Sequence, residues 1–256
     1  MKIAVVIRQV PDLIEPLEVD SSGKALDLSS ATFLLNESDD HALEQALLLK
    51  EAQGGQVSVL ALDFGDVDNS LYAAAAKGAD QLVKIPWDDP NRSPPPQVAA
   101  QMYAELLRTI DPDLVLIGVQ AHDELDGVLA PEVAVALSWP YVGVVRGVKA
   151  ADGSLLVCKE FPGAVMAEFQ VRLPAVLGLL GAEQPPRYVP VSRIRSAMKT
   201  AQIAEQEVSP PSWTGRVQVA RLYPPVPAER AEMLTGSAEE VADRIAALLE
   251  EKGLLR

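Results

Sequence analysis

The stretch "KIAVVIRQV" (Lys2–Val10) decides the fold that the rest of the sequence predicts. It is a nearly continuous run of β-branched and aliphatic residues, which is typical of a strand buried on both faces of a sheet. Three further runs of this kind are "QVSVLALDFG" (Gln56–Gly65), "QLVKIPW" (Gln81–Trp87) and "DLVLIG" (Asp113–Gly118). Because helical segments separate the four runs, the sequence predicts a doubly wound, mostly parallel α/β sheet with helices on both faces.

The segment between the first two strands shows clear start and stop signals of a helix. It reads "NESDDHALEQALLLKEAQGG" and offers Asn36 or Ser38 as the N-terminal cap. Asp39 and Asp40 suit the positive end of the helix dipole, and Gly54-Gly55 ends the helix. Shorter helices are predicted between the later strands on similar patterns.

The pattern changes after Pro140, where the helical period is lost. Residues 141–180 are typical of antiparallel strands joined by turns at Asp152-Gly153 and Pro162-Gly163. We therefore expect antiparallel additions to the sheet, and one α/β domain of nucleotide-binding type over residues 1–183.

Prolines are dense beyond this domain, which predicts an extended C-terminal arm over residues 184–256. Within the arm, "SRIRSAMKTA" predicts a short amphipathic helix capped by Ser192. The sequence "GSAEEVADRIAALLEEKG" predicts a terminal helix in which Ser237 and Glu240 form a capping box.

The composition of the 256-residue chain argues against several functional classes. Its formal net charge is −14, so it would repel the backbone of DNA or RNA, and we expect no nucleic-acid partner. Cys158 is the single cysteine, which rules out an internal disulfide and a cysteine-based metal cluster. We find neither a signal-peptide pattern nor an apolar run of transmembrane length, and therefore expect a soluble, cytoplasmic protein without membrane insertion.

Sequence motifs for catalysis are missing. The first strand is not followed by G-x-G-x-x-G, and the chain contains neither a phosphate-binding G-x-x-x-x-G-K-[ST] loop nor a G-x-S-x-G nucleophile motif. The two histidines, His41 and His122, are too few for a histidine-rich metal site. We therefore predict no catalytic residues and no metal ligands, and expect a protein that is not itself an enzyme.

A ligand of a doubly wound sheet binds beyond the carboxyl ends of the strands. Three segments are predicted there: Arg8–Pro11, Leu62–Gly65 and Gly118–Gly127. The carboxylates of the third segment could accept hydrogen bonds from a ribose or an adenine amine. They could equally belong to a solvated loop that caps the next helix. These carboxylates are Asp123, Glu124 and Asp126.

The arm begins with a basic segment in an otherwise acidic chain. "QPPRYVPVSRIRSAMK" (Gln184–Lys199) contains no acid, and its cations are Arg187, Arg193, Arg195 and Lys199. The segment could be a strap folded back on its own acidic domain, or a surface for a partner. The length of the arm and the apolar face of its short helix favour a partner.

Four motifs together resemble the β subunit of electron transfer flavoprotein, along nearly the whole chain. They are "KIAVVIRQVPD", "NESDDHALEQALLLKE", "DLVLIGVQAHD" and "PPRYVPVSRIRSAMK". The resemblance implies a heterodimer in which the α subunit carries the redox FAD. The β subunit would clamp α and dock acyl-CoA dehydrogenases, as in fatty acid oxidation, or other flavin dehydrogenases for electron transfer.

The resemblance also implies a nucleotide site in the β subunit, which would hold AMP or a second FAD. The positions that it transfers to this chain are Val6, Asn36, Asp63, Phe64, Asp123, Asp126, Gly127, Val128 and Leu129. The chain departs from the family pattern here, because bulky Val128 and Leu129 replace polar, phosphate-facing positions.

Two further roles follow from the resemblance. The docking loop for the dehydrogenase would comprise Val191, Ser192, Arg193, Ile194, Arg195, Met198 and Lys199. Val191 and Ser192 stand where the family usually has Leu-Pro, so the partner could differ from a typical acyl-CoA dehydrogenase. Glu160 falls near an acid of the family that meets an arginine of α.

One alternative comes from another class of protein. A stand-alone adenine-nucleotide-binding module of the universal-stress type would share the α/β sheet. The long arm and its basic segment argue against this alternative, and a stable monomer that binds ATP would favour it.

Overall fold

The computed structural model describes residues 1–89, 92–151, 153–212, 219–224 and 231–255. Its strands and helices follow the alternation predicted from the sequence. In chain order they are β1 (Lys2–Val6), β2 (Gln9–Pro11), β3 (Phe33–Leu35), α1 (Glu37–Gln53), β4 (Gln56–Leu62), α2 (Val67–Lys77), β5 (Gln81–Ile85), α3 (Pro96–Ile110), β6 (Leu114–Gly118), α4 (Leu129–Leu137), β7 (Tyr141–Ala151), β8 (Ser154–Phe161), β9 (Val165–Val171), β10 (Ala175–Leu179), α5 (Val191–Thr200), β11 (Ile203–Glu205) and α6 (Ala238–Glu251).

Nine of the described strands form one sheet, in the order β11-β5-β4-β1-β6-β10-β7-β8-β9. The pairs from β11 to β7 are parallel, whereas β7–β8 and β8–β9 are antiparallel. The strands β2 and β3 form a separate antiparallel pair. The predicted α/β fold, mostly parallel with antiparallel additions, is therefore confirmed. The expectation of antiparallel strands throughout residues 141–180 is wrong for β10, which lies between β6 and β7 and is parallel to both.

Helices cover both faces of the sheet because successive apolar residues of the central strands point to opposite faces. Val5 belongs to the same apolar cluster as Leu43 of α1 and Leu71 of α2. Its neighbour Val6 belongs to a second cluster, with Met102 of α3 and further residues of α4. Val5 and Val6 are both fully buried, and burial of such side chains on each face is the main stabilising contribution of the sheet.

The helix caps differ in part from the predicted ones. Asn36 precedes α1, but its side chain makes no capping hydrogen bond. The helix α5 begins at Val191 directly after Pro190, so the predicted cap at Ser192 is wrong. The capping box of α6 is confirmed, since the Ser237 hydroxyl oxygen accepts a hydrogen bond from the Glu240 N–H at 3.3 Å.

The predicted turn at Pro162-Gly163 is confirmed as the connection between β8 and β9. The two strands are antiparallel, with Phe161 opposite Val165. The other predicted turn includes Asp152, which lies outside the described residues.

Part of the predicted arm belongs to the sheet. The strand β11 pairs in parallel with β5, with Ile203 opposite Leu82, and α5 packs against α2. The chain divides into two compact units, Met1–Leu222 and Tyr223–Arg256, and α6 lies in the second. The predicted division between residues 183 and 184 stays a prediction.

Within the described part of the chain, no helix has both the length and the apolar character needed to cross a lipid bilayer.

Candidate functional site

A cleft lies at the edge of the sheet where β1, β4 and β6 end. Its cavity volume is about 40 Å³, which gives room for a few water molecules. This is the edge at which ligands of doubly wound sheets bind. The residues that line the cleft are Ile7, Arg8, Gln9, Leu62, Phe64, Ser93, Pro94, Pro96, Ala99, Tyr103, Asp123, Glu124 and Leu129.

The positive charge of the cleft belongs to Arg8, which lies two residues beyond β1. Its guanidinium donates from Nε and Nη2 to the two carboxylate oxygens of Asp39, at 2.9 and 3.0 Å. Nη1 donates to Glu124 Oε2 at 2.9 Å, and Nη2 also donates to the Gly118 carbonyl oxygen at 3.0 Å. One side chain therefore joins the end of β1 to the start of α1, the end of β6 and the loop beyond β6.

This ion cluster is nearly withdrawn from water. The side chain of Asp39 is fully buried, and those of Arg8 and Glu124 are 12% and 14% exposed. Asp39 also accepts hydrogen bonds from the backbone N–H groups of Arg8 at 3.0 Å and Gly118 at 2.8 Å. A bidentate arginine and two N–H donors compensate for the burial of this carboxylate.

Burial and charge act in opposite directions on the pKa values within the cluster. Burial alone would lower the pKa of Arg8, but attraction to Asp39 and Glu124 outweighs it, and the pKa is raised. Burial raises the pKa of Glu124, and attraction to Arg8 offsets that rise only in part. Because one cation faces two carboxylates, Glu124 is the member whose charge is least compensated.

A second contact fastens the N-terminus of α1 to the loop after β6. Asn36 Nδ2 and Ser38 Oγ both donate to the Gln120 carbonyl oxygen, at 3.1 and 2.7 Å. The approach is closest at Gly118, where a Cβ atom would lie 2.3 Å from Ser38 Oγ and 2.4 Å from Asp39 Oδ1. A side chain at Gly118 would therefore push α1 away from the sheet.

The remaining walls are mostly apolar, and their polar side chains are those of Gln9, Ser93, Tyr103 and Asp123. Tyr103 is buried, and its hydroxyl oxygen accepts a hydrogen bond from the Leu62 N–H at 2.9 Å. Burial raises the pKa of this hydroxyl, so it is neutral at ordinary pH. Gln9 Oε1 is buried and has no hydrogen-bond partner among the described residues. Phe64 packs edge-on against Phe33, with ring centroids 5.3 Å apart.

The N-terminus of α4 closes the cleft without a polar side chain. Val128 is the residue before the helix, and it makes no side-chain capping hydrogen bond. Leu129 is 2% exposed and belongs to the apolar core. Glu132 places a carboxylate in the first turn. A helix N-terminus attracts anions, but here the carboxylate of Glu132 already interacts with the positive end of the helix dipole.

The cleft contains some of the predicted nucleotide-binding residues and not others. Phe64, Asp123 and Leu129 line it. The side chain of Val6 is buried in the core, and Asp63 pairs with Lys84 at 3.2 Å. The residues that do not line the cleft are Val6, Asn36, Asp63, Asp126, Gly127 and Val128. The assignment of a nucleotide to these positions stays a prediction.

Sequence reasoning missed the ion cluster. The available signal is a cation placed directly after an all-apolar strand, at Arg8. An acid near a helix N-terminus is expected because it interacts favourably with the helix dipole. This role already explains the presence of Asp39, so the sequence gives no cause to look for a contact with Arg8. Glu124 lies 116 positions from Arg8 along the chain, so their contact depends on the completed sheet.

The first half of the basic segment is fastened to α1. Arg187 donates from Nε and Nη2 to Glu44 at 2.8–3.0 Å, and from Nη1 to Glu51 at 2.6 Å. Glu44 is 3% exposed. Upstream, the Ala182 N–H donates to His41 Nδ1 at 3.2 Å. The interpretation of this segment as a strap on its own domain therefore holds for its first half.

The second half of the basic segment is α5, which leaves most of the predicted docking residues exposed. Val191 and Met198 are 60% and 41% exposed. Ile194 is half-buried and Ala197 is buried on the side that faces the domain. The other exposed docking residues are Ser192, Arg193, Arg195 and Lys199. The helix thus combines exposed apolar side chains with positive charge.

The predicted interdomain residue Glu160 already has a partner within the chain. It lies in β8 and pairs with Arg146 of β7. The two side chains are 34% and 50% exposed, so this is a surface ion pair, and such pairs are worth little. A contact between Glu160 and another subunit stays a prediction.

Comparison with known proteins gives consistent matches. A family model described as "Electron transfer flavoprotein domain" matches residues 26–211. The "Electron transfer flavoprotein subunit beta" of Methylophilus methylotrophus is 31% identical over 98% of each chain. The protein of the same name from Bacillus subtilis is 25% identical over 97% of each chain. The "Caffeyl-CoA reductase-Etf complex subunit CarD" of Acetobacterium woodii is 28% identical over the full length of both chains.

Proposed function

The chain belongs to the electron transfer flavoprotein β-subunit family, and we propose that it is the β subunit of a heterodimer whose α subunit holds the redox FAD. The whole-length similarity to β subunits supports this proposal. When bound, the FAD supplies the electron-accepting and electron-donating chemistry. The residues of this chain bind α, orient it and recognise the dehydrogenase.

The observation that carries the proposal is the apolar stripe of α6. No residue of this helix is buried, and Ile245 and Leu248 are 45% and 42% exposed. Leu254 and Leu255 follow, and they are 68% and 49% exposed. Within the described residues of its own unit this stripe is not buried, and a capped amphipathic helix of this kind is stabilised when a protein surface covers its apolar stripe. In this family the expected partner for such a surface is the α subunit.

The surface for the dehydrogenase is α5. Exposed apolar side chains at Val191 and Met198 can anchor in a pocket of a partner, because such anchors provide most of the energy of an interface. The cations Arg193, Arg195 and Lys199 would speed association with an acidic partner surface. One of the relatives belongs to a caffeyl-CoA reductase complex, so the partner could be a flavin dehydrogenase other than an acyl-CoA dehydrogenase.

The proposal is tested by purifying the tagged chain gently from its own host and recording its mass and visible spectrum. We expect a yellow complex with one second subunit per chain and one redox FAD per heterodimer. A colourless monomer that binds ATP would contradict the proposal and favour the universal-stress type of module.

A pair of variants then tests the role of α6. Ile245→Asp with Leu248→Asp places charge in the stripe and should release α from the complex. Ala246→Asp adds a carboxylate away from the stripe and should leave the complex intact. Retention of α by the double variant would show that the stripe is not its binding surface.

A further inference from the structure

We infer that the cleft at the carboxyl edge of the sheet excludes nucleotides, because its charged side chains are already paired with one another in the ion cluster of Arg8, Asp39 and Glu124. The inference rests on the proposed function, since only a β subunit is expected to bury a nucleotide at this edge. AMP and a second FAD are both anionic, and three of the positions assigned to a nucleotide by the resemblance, Phe64, Asp123 and Leu129, line this cleft.

Charge is the first reason. The cluster contains one guanidinium and two carboxylates, so it has a net negative charge before any ligand enters. Asp123 adds a further carboxylate to the lining, and Arg8 is the only cation among the described residues that line the cleft. A phosphate placed here would face like charges in a poorly solvated site, where their repulsion is strong.

The second reason is that few side-chain donors in the lining are free. A guanidinium has five N–H groups, and the described hydrogen bonds of Arg8 use four, from Nε, Nη1 and twice from Nη2. Val128 and Leu129 provide neither a hydroxyl nor an amide at the start of α4. The unpartnered group in the lining is Gln9 Oε1, which is an acceptor and cannot bind a phosphate oxygen.

The third reason is that the contacts a bound ligand would make between the strand ends and the loops are already made by Arg8. A nucleotide at this edge would connect the ends of strands to the loops around them. Arg8 makes those connections itself, to Asp39 in α1, to the Gly118 carbonyl oxygen and to Glu124. The small cavity of about 40 Å³ that remains is consistent with an edge that is complete without a ligand.

The first test is the nucleotide content of the native complex. The complex of this chain with its α subunit is denatured without hydrolysing FAD, and the released nucleotides are separated and counted. We expect one FAD per heterodimer and less than a tenth of an equivalent of AMP. One AMP, or a second FAD, per heterodimer would overturn the inference and leave the proposed function standing. Absence of α and of any flavin would instead contradict the proposed function.

The second test adds AMP back, since a weakly held ligand could be lost during purification. AMP up to 1 mM is titrated into the complex and heat is measured. We expect no saturable binding to the wild type. Saturable binding with full occupancy would overturn the inference.

A charge-neutral variant tests the cause. Asp123→Asn with Glu124→Gln removes two carboxylates and preserves the shape of the side chains and the hydrogen bond to Arg8. We expect saturable binding of AMP to this variant, with a dissociation constant at least tenfold below the 1 mM at which the wild type shows none. The control is Glu105→Gln with Glu207→Gln, two exposed acids that lie outside the cleft and outside α5 and α6; it changes the net charge equally and should leave AMP binding unchanged. No gain in the cleft variant, with its fold and FAD intact, would overturn the attribution to the ion cluster.

Discussion

The carboxyl edge of the sheet and the helix α5 of the C-terminal arm use charge in opposite ways. At the edge, Arg8 is held by Asp39 and Glu124, and Lys84 lies 3.0–3.5 Å from the carboxylates of Asp63, Asp68 and Glu205. In α5, the cations are exposed and the apolar side chains beside them are open to solvent.

This difference shows where binding energy remains available. A group that is already paired must lose that pairing before it can bind anything else, so the edge offers little to a ligand. An exposed apolar side chain loses nothing but water on binding, so the arm offers more. In this chain the charged groups at the edge of the sheet are therefore already paired, whereas apolar side chains of the arm remain exposed.

The largest expected effect comes from disrupting the ion cluster at the carboxyl edge of the sheet. Asp39→Ala leaves the Arg8 guanidinium without its bidentate partner and should lower the free energy of unfolding by about 3–5 kcal/mol. Urea denaturation followed by circular dichroism measures this loss. Asp126→Ala, in the exposed part of the same loop region, should change the stability by no more than about 0.5 kcal/mol. Equal effects of the two variants would contradict a special role for the cluster.

A smaller effect is expected from removing the ion pair between Arg187 and Glu44, which fastens the arm to α1. Arg187→Ala leaves Glu44 buried without its cation and should cost about 1–3 kcal/mol. Hydrogen exchange should then become faster at Ala182 and at the backbone N–H of residue 187, because both contact α1. The control is Arg193→Ala, which removes an exposed cation of α5. Unchanged exchange in the Arg187 variant would show that the strap does not depend on this ion pair.

The next effect belongs to the arm alone. Val191→Asp with Met198→Asp should slow reduction by the partner dehydrogenase roughly tenfold, which corresponds to about 1.4 kcal/mol. Binding of α should not change. These two positions are preferable to Ile194, which is half-buried, because a charge there would also disturb the packing of α5. An unchanged rate of electron transfer would argue against docking through α5.

The smallest effect is a pH dependence at the edge. The pKa of Glu124 is raised in the folded chain, so the folded state binds this proton more tightly than the unfolded state does. The contribution of Glu124 to stability is therefore fully present below its ordinary pKa, and is lost as the pH rises through the raised value. The stability of Glu124→Gln relative to the wild type should increase with pH over this window. Chemical denaturation at several pH values between about 4 and 7 would show it, and a flat difference would contradict the shift.

The sequence was sufficient to predict the central strands of the sheet but not the contacts at their carboxyl ends. Runs such as Lys2–Val10 predict buried parallel strands because only that environment suits a continuous apolar segment. The capping box of α6 is predictable for a similar reason, since Ser237 and Glu240 are three residues apart and need no other part of the fold.

Long-range contacts set the limit of prediction. Arg8 could be recognised as a charged residue after an apolar strand, but its partners are chosen by how α1 and the loop after β6 meet. The start of α5 was misplaced because Ser192 is a good cap in isolation, whereas Pro190 fixes the backbone just before the helix begins. The pairing of β11 with β5 was missed because three residues carry too little pattern to predict a strand.

The short strand β11 has a consequence for solubility. Without it, β5 would be the outermost strand on that side, with unpaired N–H and C=O groups open to a strand from another molecule. Three residues, Ile203–Glu205, cover that row, and Glu205 adds a carboxylate beside it. A chain shortened before residue 203 would therefore be expected to self-associate through β5 even if its core remained folded.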